Sequence, residues 1–493
     1  MKFSLALALT VATYCSAAPA EDAVPNLPGL GAVSGLYSGY LTYDLQGRTV
    51  STHYLFSKQD TNFEDSDKLI FWSNGGPGAS SFYGFMTEVG PFSLDESSIQ
   101  SSSYEKTGIP TVYKNPTSWN QLGDLLIFEA PAPVGFSFCN DPTADGTSCG
   151  DWTDDLAAEN NLKAMQAFYD KFPELKEKEL YLSGESYAGV YIPTMARSII
   201  ENDSSIKLKG FAVGDACTGT EVLCGSDGDF GPWWDLTFMY GHGQFSTKTY
   251  DKIISTCTEA ALKHPEANGG LSDDCNTLLD KMTEEIGGYY DYALYDDCTY
   301  ENGLLKSSAR PAHTLWRGDA QGALNDYSCG GGDAMEIYAN VTEVREAFHV
   351  SPDAYFFSGD NGVGFNYSLT EKNLIPFYRD LAVGKYKDLG VRVMVYNGDT
   401  DPGINSFVAQ NWTSSVGLEE TQPWRAWTMD SCLKMGGYVT RYEGNFDFLT
   451  IRGAGHMVPT YKPEAALEMF KTWIENEDFK TYDGDCEAPS GEL

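Results

Sequence analysis

The stretch Tyr181-Leu-Ser-Gly-Glu-Ser-Tyr-Ala-Gly-Val-Tyr-Ile-Pro193 decides how the rest of this chain is read. A short apolar strand pattern, Leu180 to Leu182, runs into small residues and then into a helical pattern, which is the context a serine nucleophile elbow requires. Ser186 stands at the turn. Small residues at Gly184 and Ala188 let strand and helix approach closely enough to push Ser186 into a strained, exposed position. A serine hydroxyl alone is a weak nucleophile and needs a base for its proton and backbone donors for the oxyanion. Taken alone, the stretch also fits a serine capping a helix that begins near Tyr187. The residues downstream separate the two readings.

The order serine, acid, histidine, each on a loop at the C-terminal edge of a buried strand, is that of the α/β-hydrolases. The run Gly390-Val-Arg-Val-Met-Val-Tyr396 reads as a buried strand and ends in Asn397-Gly-Asp-Thr-Asp401. Phe446 to Ile451 reads as the next strand and leads into Arg452-Gly-Ala-Gly-His456. Of the six histidines, His456 alone follows a strand in a glycine-rich turn near the end of the chain; His53, His242, His264, His313 and His349 lack that setting. The acid is either Asp399 or Asp401, with the other capping the turn. Upstream, Lys68 to Ser73 reads as a strand buried on both faces, and it ends in Asn74-Gly-Gly-Pro-Gly78. Consecutive glycines there free backbone N–H groups to face an anion, so this loop is the candidate oxyanion hole.

The remaining elements set these loops on one sheet. Tyr37 to Ser57 alternates as a hairpin about Gln46-Gly47, Asp124 to Glu129 and Gly210 to Gly214 read as further buried strands, and Thr153 to Phe172 has helical spacing. Helical patterns also cover Thr247 to Leu262, Thr277 to Ile286, Val341 to Phe348 and Pro463 to Asn476. The expected fold is α/β: an α/β-hydrolase core with a mostly parallel central sheet, helices on both faces, and a helical, disulfide-rich cap insertion. The expected division is a signal peptide over 1–18, core over 19–215, cap over 216–335, core again over 336–486, and a C-terminal tail over 487–493. Residues 19–36, rich in proline, glycine and alanine, read as a leader lying on the surface.

Composition narrows the setting. With 42% hydrophobic and 21% charged residues the chain is an ordinary globular one. A formal charge of −37 repels phosphate, which excludes nucleic acid and anionic membrane surfaces as partners and is compatible with work at low pH. Lys2, the apolar run Phe3 to Tyr14 and the small residues before Pro19 form the signal-peptide pattern, and no later segment is apolar enough to span a bilayer. The expectation is therefore a soluble protein of the secretory pathway, delivered outside the cell or to a vacuole or lysosome. Ten cysteines remain after Cys15 leaves, an even set compatible with up to five disulfides, with Cys139 and Cys149 bracketing a loop that one bridge closes. No Cys-x-x-Cys pair or zinc-ligand cluster occurs, so neither a metal nor a cofactor is expected. Sequons at Asn202, Asn340, Asn366 and Asn411 should be exposed.

The strings Trp72-Ser-Asn-Gly-Gly-Pro-Gly-Ala-Ser-Ser81, Pro133-Val-Gly-Phe-Ser137, Gly184-Glu-Ser-Tyr-Ala-Gly189, Gly398-Asp-Thr-Asp401 and Gly455-His-Met-Val-Pro459 together resemble the serine carboxypeptidase family, which includes carboxypeptidase Y-like and cathepsin A-like enzymes. The resemblance extends over roughly residues 35–480. It implies Ser186 as nucleophile, His456 as base, Asp401 as the acid, and the N–H groups of Gly76 and Tyr187 as oxyanion donors. It also implies a site for the substrate's C-terminal carboxylate, built from Trp72, Asn74, Gly75, Glu185 and Glu88. Two carboxyls in contact hold a proton more tightly than one, so Glu185 stays neutral at acid pH and donates to the substrate. Tyr83 and Met457 match positions lining the pocket for the departing residue.

Ala79 and Ile404 depart from the pattern, standing where many members have a cysteine and some a free thiol. The activity implied is release of the C-terminal residue of peptides and proteins at acid pH through an acyl-enzyme. Two alternatives are a serine carboxypeptidase-like acyltransferase or esterase, and a non-catalytic protective partner of other exported hydrolases. The residues leave side-chain preference, disulfide pairing and oligomeric state open.

Overall fold

Ten strands build the central sheet: Leu36–Leu45 (β1), Arg48–Ser57 (β2), Lys68–Ser73 (β3), Asp124–Phe128 (β4), Glu179–Glu185 (β5), Leu208–Gly214 (β6), Arg392–Gly398 (β7), Glu420–Thr428 (β8), Met435–Tyr442 (β9) and Phe446–Ile451 (β10). Their order across the sheet is β8-β9-β10-β7-β6-β5-β3-β4-β2-β1, and the short strand Phe138–Cys139 joins β2 as an eleventh. From β10 to β4 all neighbours are parallel, and the two ends are antiparallel. The computed structural model describes residues 18–140, 149–224, 231–265, 269–296, 300–301, 304–305, 329–351, 353–357, 365–430 and 434–483. The expected signal peptide (apart from Ala18), the tail 487–493, His313, Cys298, Cys432 and Cys486 lie outside the described residues.

The parallel strands read as continuous apolar runs because both faces are covered. Leu180 and Leu182 of β5 enter the core on one face, and Tyr181 between them enters the core on the other. On the first face lie helices Asp154–Lys171 (α2) and Ala188–Asn202 (α3), which contribute Met165, Phe168, Ile192 and Met195. On the second lie Ser81–Thr87 (α1) and the C-terminal helix Pro463–Ile474, where Phe470 stacks on Trp119 at 3.8 Å between ring centroids. Between β6 and β7 the chain forms the helices Pro232–Gly241, Thr247–Thr256, Glu259–Lys263 and Asp273–Ile286 around a small separate core. Among the described residues no helix is long and apolar enough to cross a membrane.

Two expectations change. The segment 19–36 does not simply lie on the surface: Val24 and Leu27 are buried in the second-face core, and Asp22 takes an ion pair from Lys171 and a 2.6 Å hydrogen bond from Tyr54 Oη. Helical spacing over 247–262 is broken at Cys257, which is bonded to Cys275, and Thr258 restarts the helix by accepting from the Ala261 N–H. No apolar run marks β8, which buries only Trp427 and Thr428 and contains Pro423, tolerated there because β8 is an edge strand. Disulfides join Cys139 to Cys149, Cys217 to Cys224 and Cys257 to Cys275, and Cys329 is also disulfide-bonded.

Candidate active site

Ser186 sits between the end of β5 and the start of α3 with φ 62°, a left-handed conformation that non-glycine residues seldom adopt. Neighbouring backbone holds it there. The Ser186 N–H donates to Gly214 O at 2.9 Å, and its carbonyl accepts from Gly189 N–H at 2.9 Å and Cys217 N–H at 3.1 Å. A methyl group on Gly184 would overlap Ser73 O and Ala188, so the closeness of strand and helix requires glycine. Gly75 lies against the same turn, where a Cβ would run into Tyr187 N and Ser186 Cβ. Gly76 lines one cavity with Ser186, and among the described residues neither its N–H nor that of Tyr187 has an acceptor within the chain.

Tyr187 is tethered from the other side. Its hydroxyl donates to Asp154 Oδ1 at 2.6 Å, and the same carboxylate accepts from Tyr367 Oη at 2.8 Å and from the Thr370 and Glu371 N–H groups at 2.6 Å. In the fold Thr153 caps α2, and the buried Asp154 ties the elbow to residues 367–371.

His456 follows β10 and shares with Ser186 a cavity of about 750 Å³. Its Nδ1–H donates to Asp401 Oδ2 at 2.7 Å, and Asp401 Oδ1 accepts from the Gly403 N–H at 2.8 Å. Asp399 instead accepts from the Gly453 N–H at 2.6 Å. Of the two aspartates, then, geometry pairs Asp401 with the imidazole and leaves Asp399 to cap the turn. The His456 N–H donates to Tyr292 O at 2.7 Å, and the Tyr292 ring meets the imidazole edge-on at 5.2 Å. His53 is buried, bonded to Ser38 and the Phe348 carbonyl, and pushed down to about 4 chiefly by burial.

Beside the serine, the same cavity is floored by Glu185 and Glu88, each almost fully buried. Asn74 Nδ2 donates to Oε1 of both at 3.0 Å. Each glutamate's Oε2 has no other hydrogen-bond partner, and the two carboxyls contact each other. Burial, and then the adjoining Glu88, push Glu185 well above the usual carboxylate range; burial also raises Glu88. Such a contact is attractive only with a proton between the oxygens. Asn74 is in turn oriented by Trp72 Nε1–H at 2.9 Å and Gly84 N–H at 3.1 Å, both donating to its Oδ1. Trp72 is fully buried and not part of the cavity lining, so its indole N–H addresses Asn74 and not the cavity.

The sequence profile of the serine carboxypeptidase family matches residues 27–476. The chain belongs to the serine carboxypeptidase family. It is 30% identical to a serine carboxypeptidase of Caenorhabditis elegans, covering 98% of this chain and 99% of the relative. It is also 30% identical to serine carboxypeptidase-like 25 of Arabidopsis thaliana, covering 96% and 97%. Among solved structures it resembles a prohormone-processing carboxypeptidase from Saccharomyces cerevisiae with a TM-score of 0.62, at 20% identity and over 91% and 93% of the two chains, a likeness that shows the shared α/β-hydrolase fold.

Within this serine carboxypeptidase fold, Tyr83 and Met457 line the cavity with Tyr290, Tyr292 and Tyr461. Ala79 lies on its wall, and Ile404 packs into the first-face core. Asn202, Asn340, Asn366 and Asn411 are all exposed. One residue beside the candidate triad has no counterpart in the sequence reading: Asp215, directly after β6, with a carboxylate oxygen that lies within 4.8 Å of both a carboxylate oxygen of Asp401 and a ring nitrogen of His456. The signal for it was an acid ending a buried parallel strand at the sheet edge that carries the serine and the histidine.

Proposed function

We propose that this protein is a serine-type carboxypeptidase that hydrolyses the C-terminal peptide bond of peptides and proteins at acid pH. Ser186 Oγ attacks the carbonyl carbon while His456 Nε2 takes its proton, and Asp401 holds the imidazole with the proton on Nδ1. The Gly76 and Tyr187 N–H groups receive the oxyanion. His456 then passes the proton to the departing amine, the C-terminal amino acid leaves, and water releases the acyl group from Ser186 by the same steps in reverse. Glu185 and Glu88, sharing a proton beside Asn74 and the Gly75 backbone, accept the substrate's terminal carboxylate without opposing charge. That buried carboxyl pair is the observation that carries the reading, because a general acyl hydrolase has no use for a neutral acid dyad beside its nucleophile.

Activity on a peptide with a free C-terminus, compared with its C-terminal amide and a simple ester, tests this. Strong preference for the free acid is expected; equal turnover of the amide would sink the reading, and ester turnover alone would favour an acyltransferase or esterase. Replacing Ser186 with alanine should abolish turnover, whereas a non-catalytic protective role would survive it. We also place the chain in the secretory pathway, a reading supported by its disulfides and by four exposed sequons.

A further inference from the structure

Strand register brings three loops together at one sheet edge. Gly214, the last residue of β6, is opposite Glu185 of β5 on one side and Tyr396 of β7 on the other. Asp215 therefore emerges between the serine elbow and the loop that carries Asp401. Its backbone has φ 41°, and its N–H donates to Tyr396 O at 2.8 Å. Asp215 Oδ1 accepts from the Gly398 N–H at 3.0 Å and from Asn397 Nδ2 at 3.1 Å. One of its carboxylate oxygens also lies within 4.8 Å of one of Asp401, and both side chains are fully buried.

Two ionised carboxylates cannot share a dry site without a cation, and among the described residues no lysine or arginine pairs with either. One proton must lie between them. Asp401 is held by the shorter hydrogen bonds, 2.7 Å from the imidazole Nδ1–H and 2.8 Å from the Gly403 N–H, against 3.0 and 3.1 Å for the two donors to Asp215 Oδ1. The proton belongs on Asp215. Burial, and then the Asp401 charge, push Asp215 well above the usual carboxylate range, in accord with this assignment. The other ionisable groups facing it are His456, Glu185 and Tyr396.

We propose that Asp215 is a positioning residue: as a neutral acid anchored by Asn397 and Gly398, it donates a hydrogen bond to Asp401 and holds that carboxylate in line with His456. This rests on the serine–histidine–aspartate reading of the site and extends it by one member. A donor to Asp401 also spreads its charge and weakens its pull on the imidazolium, so removing Asp215 should strengthen that pull and move the pH profile of the reaction upward.

The test compares wild type, Asp215→Asn and Asp215→Ala by the rate at which a fluorophosphonate labels Ser186 across pH, with kcat and KM for a blocked dipeptide in parallel. Asparagine keeps an N–H donor of the same shape; alanine removes it. Asp215→Ala should be labelled roughly 10-fold or more slowly, with the low-pH midpoint of the rate shifted upward and kcat falling more than KM rises. Asp215→Asn should recover most of the rate and the wild-type midpoint. The proposal is overturned if asparagine is as slow as alanine, or if alanine matches wild type in rate and midpoint. Wild type that is not labelled overturns the triad reading and this inference with it, whereas wild type that is labelled but spares peptides defeats only the carboxypeptidase reading.

Discussion

Glu185 and Glu88 accept hydrogen bonds from one and the same atom, Asn74 Nδ2, at 3.0 Å each. This arrangement brings the carboxyls together and makes their shared proton part of the proposed carboxylate site. Both are raised, so the pair is neutral at acid pH and gains negative charge as pH rises. KM for a free-acid peptide should therefore rise toward neutral pH with kcat changing less, measured from about pH 4 to 8. Glu185→Gln should flatten that rise, since an amide does not ionise, and Glu185→Ala should raise KM at acid pH by roughly 10- to 100-fold, the worth of a hydrogen bond to a charged group.

Trp72 acts on the same site at one remove. Trp72→Phe deletes the indole donor and leaves Gly84 N–H as the remaining described donor to Asn74 Oδ1. The expected result is a KM raised by about 10-fold with kcat within about 2-fold, since the deleted bond is worth about 1 kcal/mol and Asn74 must be re-oriented on binding. A kcat loss without a KM change would show that Trp72 supports the serine instead.

The two aspartates of the loop after β7 have separable roles. Asp401→Asn should lower kcat by about 10⁴-fold with little change in KM, because it disturbs the proton placement on His456. Asp399→Asn removes a charged acceptor for the Gly453 N–H and should cost about 1 kcal/mol of stability while leaving kcat within about 3-fold. Steady-state kinetics and urea unfolding of the two variants distinguish them.

Glu129 is a fully buried acid away from the reacting atoms, accepting from Ser80 Oγ–H at 2.8 Å at the start of α1. Burial raises it from 4.5 to about 7. The folded protein thus binds more protons than the unfolded chain between those values. This contribution to stability is complete below the unfolded value and declines as pH rises through the folded one, by about 3 kcal/mol in total. Relative to wild type, Glu129→Gln should gain about that much in unfolding free energy between about pH 4.5 and 7.5, measured by urea denaturation. An unchanged difference would show that Glu129 is ionised in the folded protein.

Much of this architecture was legible because its signals are local. The parallel strands announce themselves as apolar runs, and the turn Gln46-Gly47 takes left-handed backbone at both residues, as a two-residue hairpin needs. Buried segments in 19–36 and the antiparallel pair β8 and β9 were not legible: Val24 and Leu27 stand amid turn-forming residues, and β8 buries only Trp427 and Thr428. Their placement depends on partners far along the chain.

The candidate site divides in the same way. By itself the sequence determined that a serine, an acid and a histidine follow buried strands in that order, because strand pattern and chain order are properties of the chain alone. Only tertiary structure decided which aspartate meets His456, that Trp72 serves Asn74, that Tyr292 braces the base, and that Asp215 lies beside Asp401. Those are contacts between loops brought side by side by sheet register, and hydrogen bonds of 2.7 to 3.0 Å depend on positions that no spacing along the chain encodes.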